Sequence, residues 1–222
     1  MKDKFVFYSK SSDKPAGKGS SEEKNSDADY SELDRITDWR KMLSNFYISP
    51  FIIDEMTWNS VEHFFHALKF RNNKNPRSKE YEFYKTFALD SNSPWSKEPV
   101  LAKNAGKAGR IGSNGKIFHK KIGDVEIPKD IKMRDDFYSR NIPGKLQTLA
   151  FLAKFTQNPE LKNVLLLTGD AELWHYTGRG GGGNILFKEL MIVRDCIRKY
   201  SSIYDLSNIS KFSSEDITKI IQ

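Results

Sequence analysis

The sequence predicts a mainly α fold, a single helical domain with a small antiparallel β element, and three observations carry that expectation. From Ser60 onward apolar side chains recur at the 3.6-residue period of helices, while runs of strand character are short and sit near the N-terminus. A chain of 222 residues with 38% hydrophobic and 13% aromatic side chains can build one sizeable core without disulfide or metal staples. The single Cys196 cannot form an internal disulfide and has no base beside it in sequence, so it reads as a half-buried helix residue.

Lys4-Phe5-Val6-Phe7-Tyr8 is an aromatic and β-branched run of strand length. Residues 10–32 are rich in Ser, Lys, Gly, Asp and Glu, too polar to offset their ordering entropy by burial, and read as a mobile insertion unless a ligand holds it. Phe51-Ile52-Ile53, a polar Asp54-Glu55 turn and Met56-Thr57-Trp58 suggest a second strand pair, completing a short antiparallel sheet near the N-terminus. Val61, Phe64, Phe65 and Leu68 then fall at i, i+3, i+4 and i+7, the apolar stripe of a helix that Asn59 or Ser60 would cap. Further helices are expected over 80–89, 99–108, 144–157, 159–167 and 185–200, the fourth announced by Asn158-Pro159-Glu160. One domain over 1–200 follows, with 201–222 as a Ser-rich linker and a short C-terminal helix opening at Ser213-Ser214-Glu215-Asp216.

Lys and Arg number 36 against 29 Asp and Glu, a net charge of +7 that favours polyanionic partners. Residues 71–121 alone hold 12 Lys and Arg against 4 Asp and Glu, so the excess is local and a nucleic acid could rest there. The longest purely apolar runs, such as Val164-Leu165-Leu166-Leu167, are far too short to span a bilayer, and Met1-Lys2-Asp3-Lys4 leads into no signal-peptide stretch. A cytoplasmic or nuclear protein, taken as a monomer with no membrane contact, is expected.

The phosphate-loop lysine motif, HExxH, CxxC and GxSxG are all absent, which removes the strongest signals of nucleotide hydrolysis, zinc chemistry and acyl transfer. His63-x-x-His66 lacks a second ligand cluster, so neither a metal nor a cofactor is expected. Two other features are more informative. Glu62, His66 and Lys69 stand at i, i+4 and i+7, on one face of the predicted helix beside the core stripe, either a site or a solvated ion-paired face. Pro15-Ala16-Gly17-Lys18-Gly19 and Gly178-Arg179-Gly180-Gly181-Gly182-Gly183-Asn184, the second opening a predicted helix, offer backbone amides and cations to an anion, or serve as flexible linkers.

A series of short motifs resembles the NADAR, or YbiA-like, family. They are Phe7-Tyr8-Ser9, Leu43-Ser44-Asn45-Phe46, Trp58-x-Ser60-Val61-Glu62-His63-Phe64-Phe65-x-Ala67-x-Lys69-Phe70, Ala102-Lys103 with Gly106, Ala153-Lys154-Phe155-x-Gln157-Asn158-Pro159-Glu160-Leu161, Leu166-Leu167-Thr168-Gly169-Asp170-Ala171-x-Leu173, and Leu190-Met191-x-Val193-Arg194. They are collinear over about residues 4–195. The resemblance implies N-glycosidase chemistry on phosphorylated ribosides. The substrates are either ADP-ribose on guanine in nucleic acid, DNA or RNA, or ribosylamino-pyrimidine phosphates of riboflavin biosynthesis; a non-catalytic module that binds ADP-ribose or NAD is the alternative.

Under that resemblance Glu62 balances oxocarbenium charge or deprotonates water, and Lys69 donates a proton or attacks the anomeric carbon to form a Schiff base. Asp136 is a second carboxylate and Tyr138 a ring near it. Phe7, Tyr8 and Trp58 are stacking platforms, and Ser44 and Asn45 donors to ribose, with Ser9, Phe46 and His66 completing the pocket. The chain departs from the riboflavin-type pattern at Trp174-His175-Tyr176-Thr177-Gly178-Arg179-Gly180, where His175 replaces a glutamate and no Asp-x-x-Trp-Gly follows. With Gly17-Lys18-Gly19, absent from the short riboflavin-type members, this favours a ligand richer in phosphate, such as ADP-ribose held between Lys18 and Arg179.

Overall fold

The computed structural model describes residues 1–72, 75–109, 121–122, 124–128, 130–139, 142–178 and 183–200; the expected C-terminal helix lies outside them. Strand β1 (Lys4–Phe7) opens the fold and is followed by the short helices α1 (Ser31–Asp34) and α2 (Trp39–Met42). A hairpin of β2 (Phe51–Ile53) and β3 (Met56–Trp58) leads into α3 (Val61–Ala67), α4 (Lys79–Lys85), a 3-10 turn (Leu89–Ser91), α5 (Pro94–Lys97) and α6 (Pro99–Ala105). A two-residue ribbon, β4 (Lys121–Ile122) with β5 (Val125–Glu126), precedes α7 (Ile142–Gln157), α8 (Pro159–Leu167), β6 (Glu172–Tyr176), β7 (Asn184–Leu186) and α9 (Lys188–Tyr200). The described chain is thus mainly helical with small sheets. None of its helices is long and apolar enough to cross a membrane.

The hairpin forms as expected, with Asp54 and Glu55 both left-handed at φ 50° and 61°, the geometry that lets a two-residue turn follow strand twist. β1 does not join it. Instead β1 runs parallel to β6, pairing Phe5 with Leu173 and Phe7 with His175, and β6 pairs antiparallel with β7. The expected helix over 185–200 therefore starts at Lys188, because Asn184, Ile185 and Leu186 bond to β6. The second glycine-rich segment thus connects two strands and does not open a helix.

The polar segment between β1 and α1 has little regular structure and is tied down by two carboxylates. Asp3 accepts from the backbone N–H of Asn25 and Ser26 and from the hydroxyls of Ser26 and Tyr30. Burial works to raise its pKa, but these hydrogen bonds prevail and hold it at about 2. Glu22 accepts from the N–H of Val6, Gly17 and Gly19 at 2.9, 3.1 and 2.9 Å and from Arg40 through both oxygens.

The core is organised around α7, which packs against α3, α8 and α9 and is buried continuously from Thr148 to Thr156. Lys154 lies in that run with no exposed surface. Its ammonium donates to the carbonyls of Met42 and Ser44 at 2.6 and 3.0 Å, among the rings of Tyr47, Phe151 and Phe155. It thereby pins the turn after α2 to the core. Burial pushes its pKa down to about 7, so between pH 7 and the ordinary lysine value of 10.5 the unfolded chain binds more protons than the folded one. Lys154's own contribution to stability then rises with pH across that window. Urea unfolding of wild type and Lys154→Met at pH 7 and pH 9 is expected to show a larger gain, or smaller loss, of stability with pH in wild type, the difference being Lys154's share.

Candidate functional site

Helix α3 is where the periodicity places it, and its polar face is turned inward. Glu62, His66 and Lys69 are 6%, 7% and 4% exposed, which excludes a solvated charged face. Successive turns of α3 and the residues just beyond it stack the three groups in one hydrogen-bonded line. Glu62 Oε1 lies 3.0 Å from His66 Nε2, and His66 Nδ1 lies 2.8 Å from Lys69 Nζ. Lys69 also donates to the Gly106 carbonyl at 3.3 Å, and the rings of Phe65 and Phe137 flank its amine at 5.6 and 5.7 Å.

The partners determine the protonation pattern. A carboxylate accepts only, so His66 donates through Nε2–H; its Nδ1 then accepts from the Lys69 ammonium. Burial lowers the pKa of His66, Glu62 opposes this, and Lys69 and Lys103 reinforce it, so the imidazole is neutral. Glu62 Oε2 has no hydrogen-bond partner among the described residues. The line of carboxylate, imidazole and amine is the pattern of an activated nucleophile: an amine, a base in contact with it and a third group orienting that base.

His175 on β6 closes the same neighbourhood. Burial lowers its pKa, with Glu62 opposing and Lys103 reinforcing the shift, and its ring lies 5.4 Å from Phe7 and 5.6 Å from Phe187. Lys103 on α6 sits 5.5 Å over the Phe46 ring, and the Glu62 N–H donates to the Asn45 carbonyl at 3.0 Å. Asn45 and Phe46 therefore border the start of α3.

The fold is similar to that of a known solved structure. The NMR structure of the E. coli protein YbiA aligns over 92% of this chain and 90% of its own, with a TM-score of 0.53 and 22% sequence identity. This chain has the YbiA fold. No protein-family model and no curated protein sequence matches it.

Within this YbiA-like fold the other expected residues are distributed unevenly. Trp58 is fully buried, donates Nε1–H to the Ile53 carbonyl and packs edge-on to Phe64, leaving no face for a base. Phe7 is likewise sealed, edge-on to Phe187. Tyr8 is half-buried, its ring 5.0 Å from Tyr176. Ser9 borders a cleft with Ser44 and Phe46, and the buried Ser44 hydroxyl accepts from the Phe46 N–H.

The amides of Gly17 and Gly19 are engaged by Glu22, and Lys18 is exposed. Arg179 and Gly180 lie outside the described residues. Asp136 is exposed and holds Arg134 Nε and Nη2 at 2.6 and 2.7 Å. Tyr138 is 61% exposed, and Phe137, its neighbour, is the ring beside Lys69. His63 serves the core: its Nδ1 is 2.8 Å from the Ser60 hydroxyl, and burial pushes its pKa to about 4.

Gly106, at the end of α6, packs directly against His66, a contact that only the structure reveals. A Cβ there would stand 2.1 Å from His66 Nδ1, the atom that accepts from Lys69. Gly106→Ala must push the imidazole off its line, and we expect a stability loss of about 1–3 kcal/mol by thermal denaturation, with loss of any activity depending on Lys69.

Proposed function

We propose that this chain is an N-glycosidase that removes ADP-ribose from ADP-ribosylated guanine, with Lys69 as nucleophile, His66 as its base and Glu62 orienting and charge-balancing the base. The observation that carries this is the buried Glu62–His66–Lys69 line, with contacts of 3.0 and 2.8 Å. It is a nucleophile arrangement with no role in packing that an apolar trio could not fill.

His66 takes a proton from the Lys69 ammonium, and Glu62 stabilises the resulting imidazolium. The free amine attacks the anomeric carbon, forming a C–N bond as the bond to the base breaks, and the imidazolium returns its proton to the departing base. Opening of the sugar ring breaks the bond between ring oxygen and anomeric carbon and leaves a protonated Schiff base with Lys69. Water adds to that carbon, the lysine amine leaves, and the sugar closes again as a free hemiacetal. Glu62 Oε2, not engaged by His66, is left to balance the positive charge that develops during attack.

Incubating the protein with a guanine oligonucleotide carrying ADP-ribose, and separating the products by chromatography, tests the reading. Release of ADP-ribose and intact oligonucleotide is expected. A protein that leaves this substrate untouched and instead turns over a ribosylamino-pyrimidine phosphate would overturn the substrate assignment.

A further inference from the structure

The three-stranded sheet has two faces, and the bond-breaking residues use only one. Side chains alternate along a strand, so Phe7 and His175, paired in register, share the face that feels Glu62. Tyr8 and Tyr176, each one residue further on, turn to the opposite face at the carboxyl ends of these parallel strands. There they border a cleft of about 360 Å³ with Lys10, Gly19, Arg40 and Asn184.

The chemistry of this cleft is specific. The Tyr8 and Tyr176 rings are 5.0 Å apart and tilted by 57°, so they touch each other and offer outer faces on which a planar ring can lie. None of the described residues lining the cleft is acidic. Arg40 is neutralised by Glu22, which leaves anion recognition to Lys10, a member of no ion pair among the described residues, and to the hydroxyls of Ser12, Ser20 and Ser21. An aromatic floor, a lone ammonium and a rim of hydroxyls fit a base, a sugar and a phosphate.

We infer that this cleft binds the nucleoside monophosphate portion of the substrate, remote from the bond that breaks. The inference rests on the proposed function for what lies at the other end. Ser9, next to Tyr8, and Lys41, next to Arg40, border a second cleft with Ser44 and Phe46, so the two clefts have chain neighbours in their walls and the second lies on the side of Asn45 and the start of α3. The diphosphate of ADP-ribose, crossing from one cleft to the other, joins the two sites, and the sheet keeps the adenine away from Lys69.

The test is titration of isotope-labelled wild type with AMP, followed by amide signals in NMR spectra, with ribose 5-phosphate as the probe lacking a base. Saturable shifts at residues 10–12, 19–21 and 183–184, and weaker binding of ribose 5-phosphate, are expected. In Tyr8→Ala/Tyr176→Ala the AMP affinity should fall by about tenfold or more, the loss of one base-stacking contact. AMP shifts that miss these residues, or an unchanged affinity in the double variant, would overturn the inference; the shifts are mapped on wild type, so their location does not depend on how the variant folds. If AMP fails to bind the cleft while ADP-ribose is still released, the inference falls and the glycosidase reading stands. AMP binding at the cleft without any release has the opposite meaning.

Discussion

Lys69→Ala and Glu62→Gln will each lower kcat/KM for release of ADP-ribose by about a hundredfold to ten-thousandfold, the range in which positioned acid, base and nucleophile groups act. The two substitutions fail for different reasons. Alanine removes the amine and with it the covalent route. Glutamine keeps the size of Glu62 but removes its charge, so the imidazolium formed when Lys69 loses its proton is no longer balanced. Its amide can also donate to His66 Nε2, which moves the imidazole hydrogen to Nδ1, the atom that must accept from Lys69 at 2.8 Å. Thermal denaturation run beside the kinetics separates this from unfolding: Glu62→Gln should keep a melting temperature close to wild type. Equal turnover by wild type and both variants would remove these residues from the chemistry.

Arg40→Ala is expected to be the most destabilising single change away from the site. The guanidinium is 2% exposed, holds both Glu22 oxygens at 2.7 and 2.6 Å, donates to the carbonyls of Lys14 and Pro15, and lies 4.0 Å over the Trp39 ring. Alanine leaves a carboxylate whose side chain is sealed from solvent without its counter-charge. Breaking one half of a buried pair costs about 3–5 kcal/mol, and for a chain of this size that lowers the melting temperature by roughly 6–20 °C. Arg40→Lys should recover only part of the loss, because one ammonium cannot bridge both oxygens and two carbonyls together. A melting temperature within a degree or two of wild type would show that the amides of Val6, Gly17 and Gly19 suffice to hold Glu22.

The legible parts of this fold are those whose signals are local. Helix α3 announces itself because Val61, Phe64, Phe65 and Leu68 repeat at helical spacing, and the same spacing brings Glu62, His66 and Lys69 to one face. Helix α8 starts where Asn158-Pro159 predicts and covers the expected 159–167. The parallel pairing of β1 with β6 was not legible, because it joins residues more than 160 positions apart and nothing in a four- or five-residue run names its partner or direction. Asn184-Ile185-Leu186 reads equally as the first turn of a helix, and only its hydrogen bonds to β6 decide otherwise.

Gly106 beside the site and Lys154 in the core stand in recognisable motifs, yet spacing alone could not say that one abuts His66 and the other holds the Met42 and Ser44 carbonyls. The run Asp136-Phe137-Tyr138 held the right ring in the wrong register: Phe137 points inward and its neighbours turn out. A loop has no period from which to read its inward side. Glu22 and Arg40 were hidden for a related reason. A carboxylate in a polar stretch looks solvated until the fold wraps three amides and a guanidinium around it.

The most direct measurement is reductive trapping. Sodium borohydride added during turnover of ADP-ribosylated guanine oligonucleotide reduces a Schiff base to a stable secondary amine, which peptide mass spectrometry locates. The mechanism requires the sugar adduct on Lys69 and none in Lys69→Ala. Rapid release of ADP-ribose by wild type with no trapped adduct, or an adduct on another lysine, would contradict it.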